Sequence, residues 1–237
     1  MKRHIKQEKL NEFLQDFYNN SGKWYKDQIE NDWEFDEETQ LKIVEECFYT
    51  KNDKASIKYI KNPTKKVCFK AVKNDGWAIK YIENPTEEMC LEAVKQDGTA
   101  IQFIKNPQEY LCLMAIKKYG STIQYIDNPS EEVCLKAVKQ NGYFICYILK
   151  KNQSFDIVQA FFDFDWSKSE YSREDCYEYL AKKFITKDQA LIMIQDDPKY
   201  INFVSKKIQR DLIEMKPELE KYLNKKENED NINDFFD

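Results

Sequence analysis

Four consecutive blocks of this sequence align without a gap at a spacing of 22 residues, and that period constrains the fold more than any other feature. They are TKKVCFKAVKNDGWAIKYIENP from Thr64, TEEMCLEAVKQDGTAIQFIKNP from Thr86, QEYLCLMAIKKYGSTIQYIDNP from Gln108 and SEEVCLKAVKQNGYFICYILKK from Ser130. Cys68, Cys90, Cys112 and Cys134 fill one column; Ala71, Ala93, Ala115 and Ala137 a second; Gly76, Gly98, Gly120 and Gly142 a third. Weaker copies flank the array. Residues 37–60 match with a six-residue insertion between their halves. Residues 186–204 match the Thr86 block at a constant offset of one hundred, with Pro198 in place of the glycine. The stretch 153–184 is degenerate, and the repeat gives it no register.

Each unit reads as two short helices. Thr64, Thr86 and Ser130 are good N-caps, and acidic side chains follow in two of those first turns, where the helix dipole favours them. Val67, Cys68, Ala71 and Val72 form an i, i+1, i+4, i+5 stripe that faces a core. The glycine column falls where a left-handed residue ends a helix. A second helix of about two turns then buries Ile79 with Ile82, and Ile101 with Ile104. The Asn-Pro pair stops it, because proline disfavours helical geometry in the residue before it.

Helices this short do not stand alone in water, so the units must stack on one another to bury their apolar faces. The expected fold is all-α: an α-solenoid of helix–turn–helix repeats with atypical units at both ends. With no internal linker, residues 1–223 read as one domain. Residues 1–34 form its N-terminal cap, 35–152 the repeat array, and 153–223 the degenerate repeats and C-terminal cap. Residues 224–237 read as a disordered acidic tail. Five Gly and six Pro are thin punctuation for an all-β fold and agree with a helical one.

The unit L-x-A-V-x-x-x-G-x-x-I-x-[YF]-I, as in Leu91 to Ile104, resembles the short repeats of domain of unknown function 4116, found in bacteria, phages and large viruses. The resemblance covers the 64–150 array well and the flanks loosely, and departs from the usual pattern in the Asn-Pro boundary and the cysteine column. It implies a helical repeat fold and brings no established activity or catalytic residues.

Net charge is −5, but Glu227, Glu229, Asp230, Asp234 and Asp237 supply five negative charges, so positions 1–226 are close to neutral. A neutral body has little bulk attraction for nucleic acid or an anionic membrane. No apolar run approaches the length of a membrane span, and the charged start of the chain lacks a secretory signal. Seven cysteines without an export signal read as reduced thiols, so a cytoplasmic location is expected. The preference for Lys, Asn, Ile and Asp suggests an AT-rich bacterial or phage genome.

Catalytic chemistry finds little support. His4 is the only histidine, and there is no Gly-rich phosphate loop, G-x-S-x-G or C-x-x-C. The carboxylates of Glu87, Glu88, Glu131 and Glu132 sit at helix starts, where capping explains them. One cysteine per repeat, with stacked helices about 10 Å apart, is too sparse for a shared zinc or a disulfide, so the column reads as core. No catalytic residue, metal or cofactor is expected.

Lys73, Lys95, Lys117 and Lys139 recur beyond the apolar stripe and make a candidate anion-binding ladder. The plainer account is that lysine near a helix C-terminus complements the dipole and keeps that face soluble, with Asp75 and Asp97 close by. Partner specificity belongs where the repeats differ. The second helix starts at Trp77, Thr99, Ser121 and Tyr143, with Lys80, Gln102, Gln124 and Cys146 three residues later. Trp77, Lys80, Gln102, Gln124 and Tyr143 are the candidate partner-binding residues; the alternative is that the two aromatics pack against adjoining units. Phe235-Phe236 in the tail reads as a docking motif or as part of a solubilising segment.

The leading expectation is a non-enzymatic solenoid that binds a protein or ribonucleoprotein; its specific version is a phage or mobile-element inhibitor that occludes a bacterial defence complex. The second is nucleic-acid or ribonucleoprotein binding through the lysine ladder. A carboxylate-based enzyme is the remote third.

Overall fold

The repeats that begin at Thr64, Thr86 and Ser130 open on a side-chain cap, whereas the one that begins at Gln108 has none. In the computed structural model, which describes residues 36–46 and 56–223, the hydroxyls of Thr64, Thr86 and Ser130 accept from the amides of Val67, Met89 and Val133 at 3.3 Å. These bonds satisfy one of the free amides of the first turn, and an α-helix follows. Among the described residues there is no β-strand. The expectations placed on 1–34, on the acidic tail and on Phe235-Phe236 lie outside the described residues.

The chain divides into two compact units, the first ending at Asp127 and the second beginning at Asn128. The first contains α1 (Glu37–Glu46), α2 (Lys65–Asn74), α3 (Glu87–Gln96) and α4 (Glu109–Lys118). Each helix is followed by a short 3₁₀ segment: Ser56–Tyr59, Gly76–Tyr81, Gly98–Phe103 and Gly120–Tyr125. Each α-helix packs on the next, and each 3₁₀ segment packs on its own helix and on the next 3₁₀ segment. The result within this unit is an α layer and a 3₁₀ layer. The predicted stripe is the core: Val67, Cys68, Ala71 and Val72 are buried, as are their counterparts in α3 and α4. Burying each Val or Ile contributes about 1.5–3 kcal/mol, which is how ten-residue helices persist.

The second helix of each repeat is 3₁₀ in type. Ile82 donates to Ile79 O at 3.1 Å, Ile104 to Ile101 O at 3.0 Å and Ile126 to Ile123 O at 3.2 Å, all three residues apart. Isoleucines spaced by three fall on one edge of a helix with three residues per turn, and six residues make its two turns.

The glycine column has a different basis from the one its sequence position suggests. Gly76 and Gly98 do not adopt positive φ. The helix-terminating residues before them, Asp75 and Asp97, are extended at φ −144° and −138°. Their carboxylates accept from the amides of Trp77 and Thr99 at 3.0 and 2.9 Å, capping the 3₁₀ segments that the glycines begin. Gly76 is needed because a Cβ there would fall 2.8 Å from Ala93 O on the next helix. The left-handed positions are instead Asn62, Asn106 and Asn128, at φ 54°, 48° and 49°, each before a proline; asparagine tolerates that conformation.

The second unit contains α5 (Glu131–Gln140), α6 (Phe155–Asp163), α7 (Lys187–Asp196) and α8 (Lys206–Met215). It resolves the register that the sequence left open. Ser154 caps α6 at Ile157 N, and the matching 3₁₀ segment is Glu174–Tyr179, after an insertion that carries a 3₁₀ turn at Trp166–Lys168. Phe161 and Tyr177 are fully buried, with ring centroids 6.1 Å apart, and Trp166 lies 5.1 Å from Phe161. The pairs α7 with Pro198–Phe203 and α8 with Pro217–Tyr222 are further repeats, each starting its 3₁₀ segment with proline, which needs no amide hydrogen there. Residues 205–223 are thus a repeat in their own right.

Candidate functional site

The 3₁₀ layer in the first unit carries four of the five candidate partner-binding residues, Trp77, Lys80, Gln102 and Gln124, and Tyr143 lies in the second unit. Trp77 is 43% exposed, yet its indole N–H donates to Asp97 Oδ2 at 3.0 Å and to Thr99 Oγ1 at 3.2 Å, across to the next repeat. Its ring meets that of Phe103 edge-on, with centroids 5.2 Å apart. Packing against an adjoining repeat and surface presentation therefore coexist in one side chain. Burial pushes the Asp97 carboxyl up, but bonds from the Thr99 hydroxyl and amide and the Trp77 indole, with the Lys118 charge, outweigh it and hold the group below its ordinary value.

Lys80 is exposed and lies over the rings of Tyr81 and Phe103, 5.8 and 5.5 Å from their centroids. Gln102 and Gln124 turn back on their own segments, donating to Thr99 O at 2.9 Å and Ser121 O at 3.0 Å. These bonds fix the amides while leaving Gln124 exposed and Gln102 half-buried.

Sequence reasoning passed over the neighbouring column. Tyr81 and Tyr125 are 41% and 42% exposed, with Phe103 half-buried between them. The signal was present as the [YF] position of the repeat: an aromatic kept beside a buried isoleucine in a segment too short to bury both. In the second unit, Tyr143 stacks on Tyr171 at 3.7 Å and meets Tyr147 edge-on at 5.9 Å; Tyr147 is exposed. Burial is the first cause that raises the Tyr143 hydroxyl above its ordinary value.

The candidate anion ladder is exposed throughout: Lys73, Lys95 and Lys117 in the last turns of α2, α3 and α4, and Lys139 in that of α5. The carbonyls at those helix ends are taken by a different column. Gln96 Nε2 donates to Val72 O at 2.9 Å and Lys73 O at 2.7 Å. Lys118 Nζ reaches the Lys95 carbonyl and, at 2.6 Å, that of Gln96. Asn74 Nδ2 donates to Val44 O at 3.1 Å. In α2, α3 and α4 one polar residue thus caps the preceding α-helix, a role invisible in sequence because Asn, Gln and Lys share only their donor capacity.

The cysteine column is buried: the thiols of Cys68, Cys112 and Cys134 donate to Pro63, Pro107 and Pro129 carbonyls at 3.8–3.9 Å. Burial raises all four thiols, Cys134 to about 11. Among the described residues no group of three or more His, Cys, Asp or Glu is placed to hold a metal ion. A cavity of about 310 Å³ beside α5 and α6 is lined by Leu135, Lys139, Asp156, Gln159, Asp163 and Phe164. Among the described residues, hydrogen bonds from neighbouring side chains and amides hold the carboxyls of Asp97, Asp165 and Asp197 below their ordinary value. No helix among the described residues is long and apolar enough to cross a membrane.

The family described as Domain of unknown function (DUF4116) matches the chain twice, over residues 64–107 and 109–152. The first match spans the two blocks that begin at Thr64 and Thr86. No curated protein and no solved structure matches the chain.

Proposed function

We propose that this chain, which carries two DUF4116 segments, is a non-enzymatic binding module that grips another protein along the 3₁₀ face of its first unit. The observation that carries the reading is the aromatic column Tyr81, Phe103 and Tyr125, one ring per repeat, partly exposed beside Trp77. Tyrosine and tryptophan present large, rigid contact area with a polar end and are enriched at protein interfaces. Lys80, Gln102 and Gln124, which differ along the strip, supply the polar contacts that select the partner.

The test is affinity capture from host lysate, with and without nuclease, using wild type and a Tyr81→Ala/Tyr125→Ala double variant. A stoichiometric protein that survives nuclease and is lost with the double variant supports the reading. Capture of the same protein by both forms overturns the strip as its site.

A second reading, nucleic-acid binding, is favoured by the exposed Lys73, Lys95 and Lys117 in equivalent positions of α2, α3 and α4. It predicts capture that depends on RNA or DNA, falls steeply with salt, and is nearly abolished by Lys95→Glu with Lys117→Glu. The narrower version of the protein-binding reading, a mobile-element inhibitor that occludes a bacterial defence complex, rests on small size and a broad surface. Its check is genomic: the gene should sit among phage or plasmid genes.

A further inference from the structure

The second unit holds a thiol pair that the binding strip does not use. Cys146 lies on the 3₁₀ segment Gly142–Tyr147 and Cys176 on Glu174–Tyr179, and their sulfurs are 3.4 Å apart in hydrogen-bond contact. Cys176 also reaches the Ser172 carbonyl at 3.9 Å, much as Cys68, Cys112 and Cys134 reach proline carbonyls, so the sulfur–sulfur contact is what sets the pair apart. Cys176 is fully buried, whereas Cys146 is only partly so. A partly accessible thiol backed by a buried one has the layout of an attacking and a resolving cysteine.

The electrostatics agree with that division. The hydrogen bond with Cys176 lowers the Cys146 thiol below its ordinary value, against the opposing effects of burial and of Glu178 and Asp175. The same bond, with burial, pushes Cys176 up. The sulfur nearer solvent is the one an oxidant can reach, and a thiolate there is the reactive form.

We propose that Cys146 and Cys176 are a redox modification site, closing to a reversible disulfide when the protein meets a hydroperoxide. The Cys146 thiolate attacks one peroxide oxygen and breaks the O–O bond. This gives a sulfenic acid on Cys146 and an alkoxide or hydroxide that takes up a proton. The Cys176 sulfur then attacks the Cys146 sulfur; the sulfenic hydroxyl leaves and departs as water with the Cys176 proton. Two thiols lose two electrons, and the peroxide is reduced to an alcohol or water. Shortening the sulfur separation to about 2.05 Å asks little of two segments already packed together. The Tyr143–Tyr171 stack joins the same stretches of chain. The crosslink therefore fixes the segment bearing Tyr143 and exposed Tyr147 and encloses α6 in a covalent loop.

The experiment is peroxide titration of the reduced full-length chain carrying Cys47→Ala, Cys47 lying outside the described residues. Thiols are trapped with iodoacetamide and peptides mapped by mass spectrometry under non-reducing conditions. The expected result is one crosslink joining Cys146 and Cys176, a mass lower by about 2 Da, and reversal by dithiothreitol. The four column cysteines should stay reduced and a rise of several degrees in melting temperature should accompany the crosslink. In Cys176→Ala the sulfenic acid persists on Cys146 and is trapped by dimedone; in Cys146→Ser peroxide forms no disulfide. Mapping of the chain that carries Cys47→Ala alone does not depend on either further variant folding. If the crosslink is absent, or if a column cysteine is oxidised before Cys146, the proposal is wrong.

Discussion

Gly76 lies so close to Ala93 in the following repeat that a Cβ on it would sit 2.8 Å from the Ala93 carbonyl oxygen, and 3.3 Å from the Cβ of Gln96. Real side chains do not tolerate the first distance, and that oxygen is held by the Asp97 amide at 2.9 Å. Gly76→Ala must therefore push two repeats apart, at a cost of about 1–3 kcal/mol. This outweighs the roughly 0.4–1 kcal/mol that alanine gains by restricting the unfolded chain. Gly98→Ala meets Ala115 O at 3.1 Å and should cost less. Urea denaturation of both variants checks the order, and a Gly76→Ala protein more stable than wild type would refute it.

Gln96 ties α3 to the end of α2 through two carbonyls. Losing both bonds in Gln96→Leu should cost about 1–2 kcal/mol. Gln96→Lys should cost much less, because Lys118 occupies the equivalent place and reaches two carbonyls at the end of α3, of which that of Lys95 corresponds to Lys73 O. Equal destabilisation by leucine and lysine would show that packing of the side-chain stem matters and hydrogen bonding does not.

The α-helical half of each repeat was legible because caps and stripes are local: Thr64 and the spacing of Val67, Cys68, Ala71 and Val72 need no tertiary information. The 3₁₀ character was written in the three-residue step from Ile79 to Ile82, which also suits an α-helix and so did not decide the type. Gly76 was misread because glycine after a helix serves either positive φ or close approach, and only the neighbouring Ala93 tells which. The aromatic face was half legible. Trp77 and Lys80 were found through variation between repeats, whereas Tyr81 and Tyr125 were hidden in a constant position. The insertion between α6 and Glu174–Tyr179 masked a repeat in which buried Phe161 stands in the alanine column and buried Tyr177 in the isoleucine column of the array.

Gln153 is buried at 5% exposure with all its bonds made inside the second unit. Its Nε2 donates to Ile148 O at 3.1 Å and Tyr179 O at 2.8 Å, and its Oε1 accepts from Ala181 N at 2.8 Å. Gln153→Leu keeps the bulk but leaves the Ala181 amide without this acceptor, at a cost of about 1–3 kcal/mol for that group alone. Calorimetric unfolding gives the readout. A loss under about 0.5 kcal/mol, the scale of an ordinary surface change, would mean that another acceptor replaces Oε1.

Trp77 separates stability from recognition. Trp77→Phe retains a ring beside Phe103 but deletes the indole donor to Asp97 and Thr99, an exposed contact that should contribute about 1 kcal/mol at neutral pH. The pH dependence has a definite sign. The Asp97 carboxyl is held below its ordinary value in the folded protein, so its bonds stabilise fully above the ordinary carboxylate range and the benefit fades as pH falls through the folded value. The gap in urea midpoint between wild type and Trp77→Phe should be full at pH 6–7 and shrink below about pH 4. The Asp97 carboxyl, followed by NMR, should titrate higher in the variant. Tyr81→Ala, by contrast, removes a half-exposed ring and should weaken partner capture with little change in midpoint. A gap that stays constant down to pH 3, with no change in the Asp97 titration, would show that the indole contributes through packing and not through its hydrogen bond.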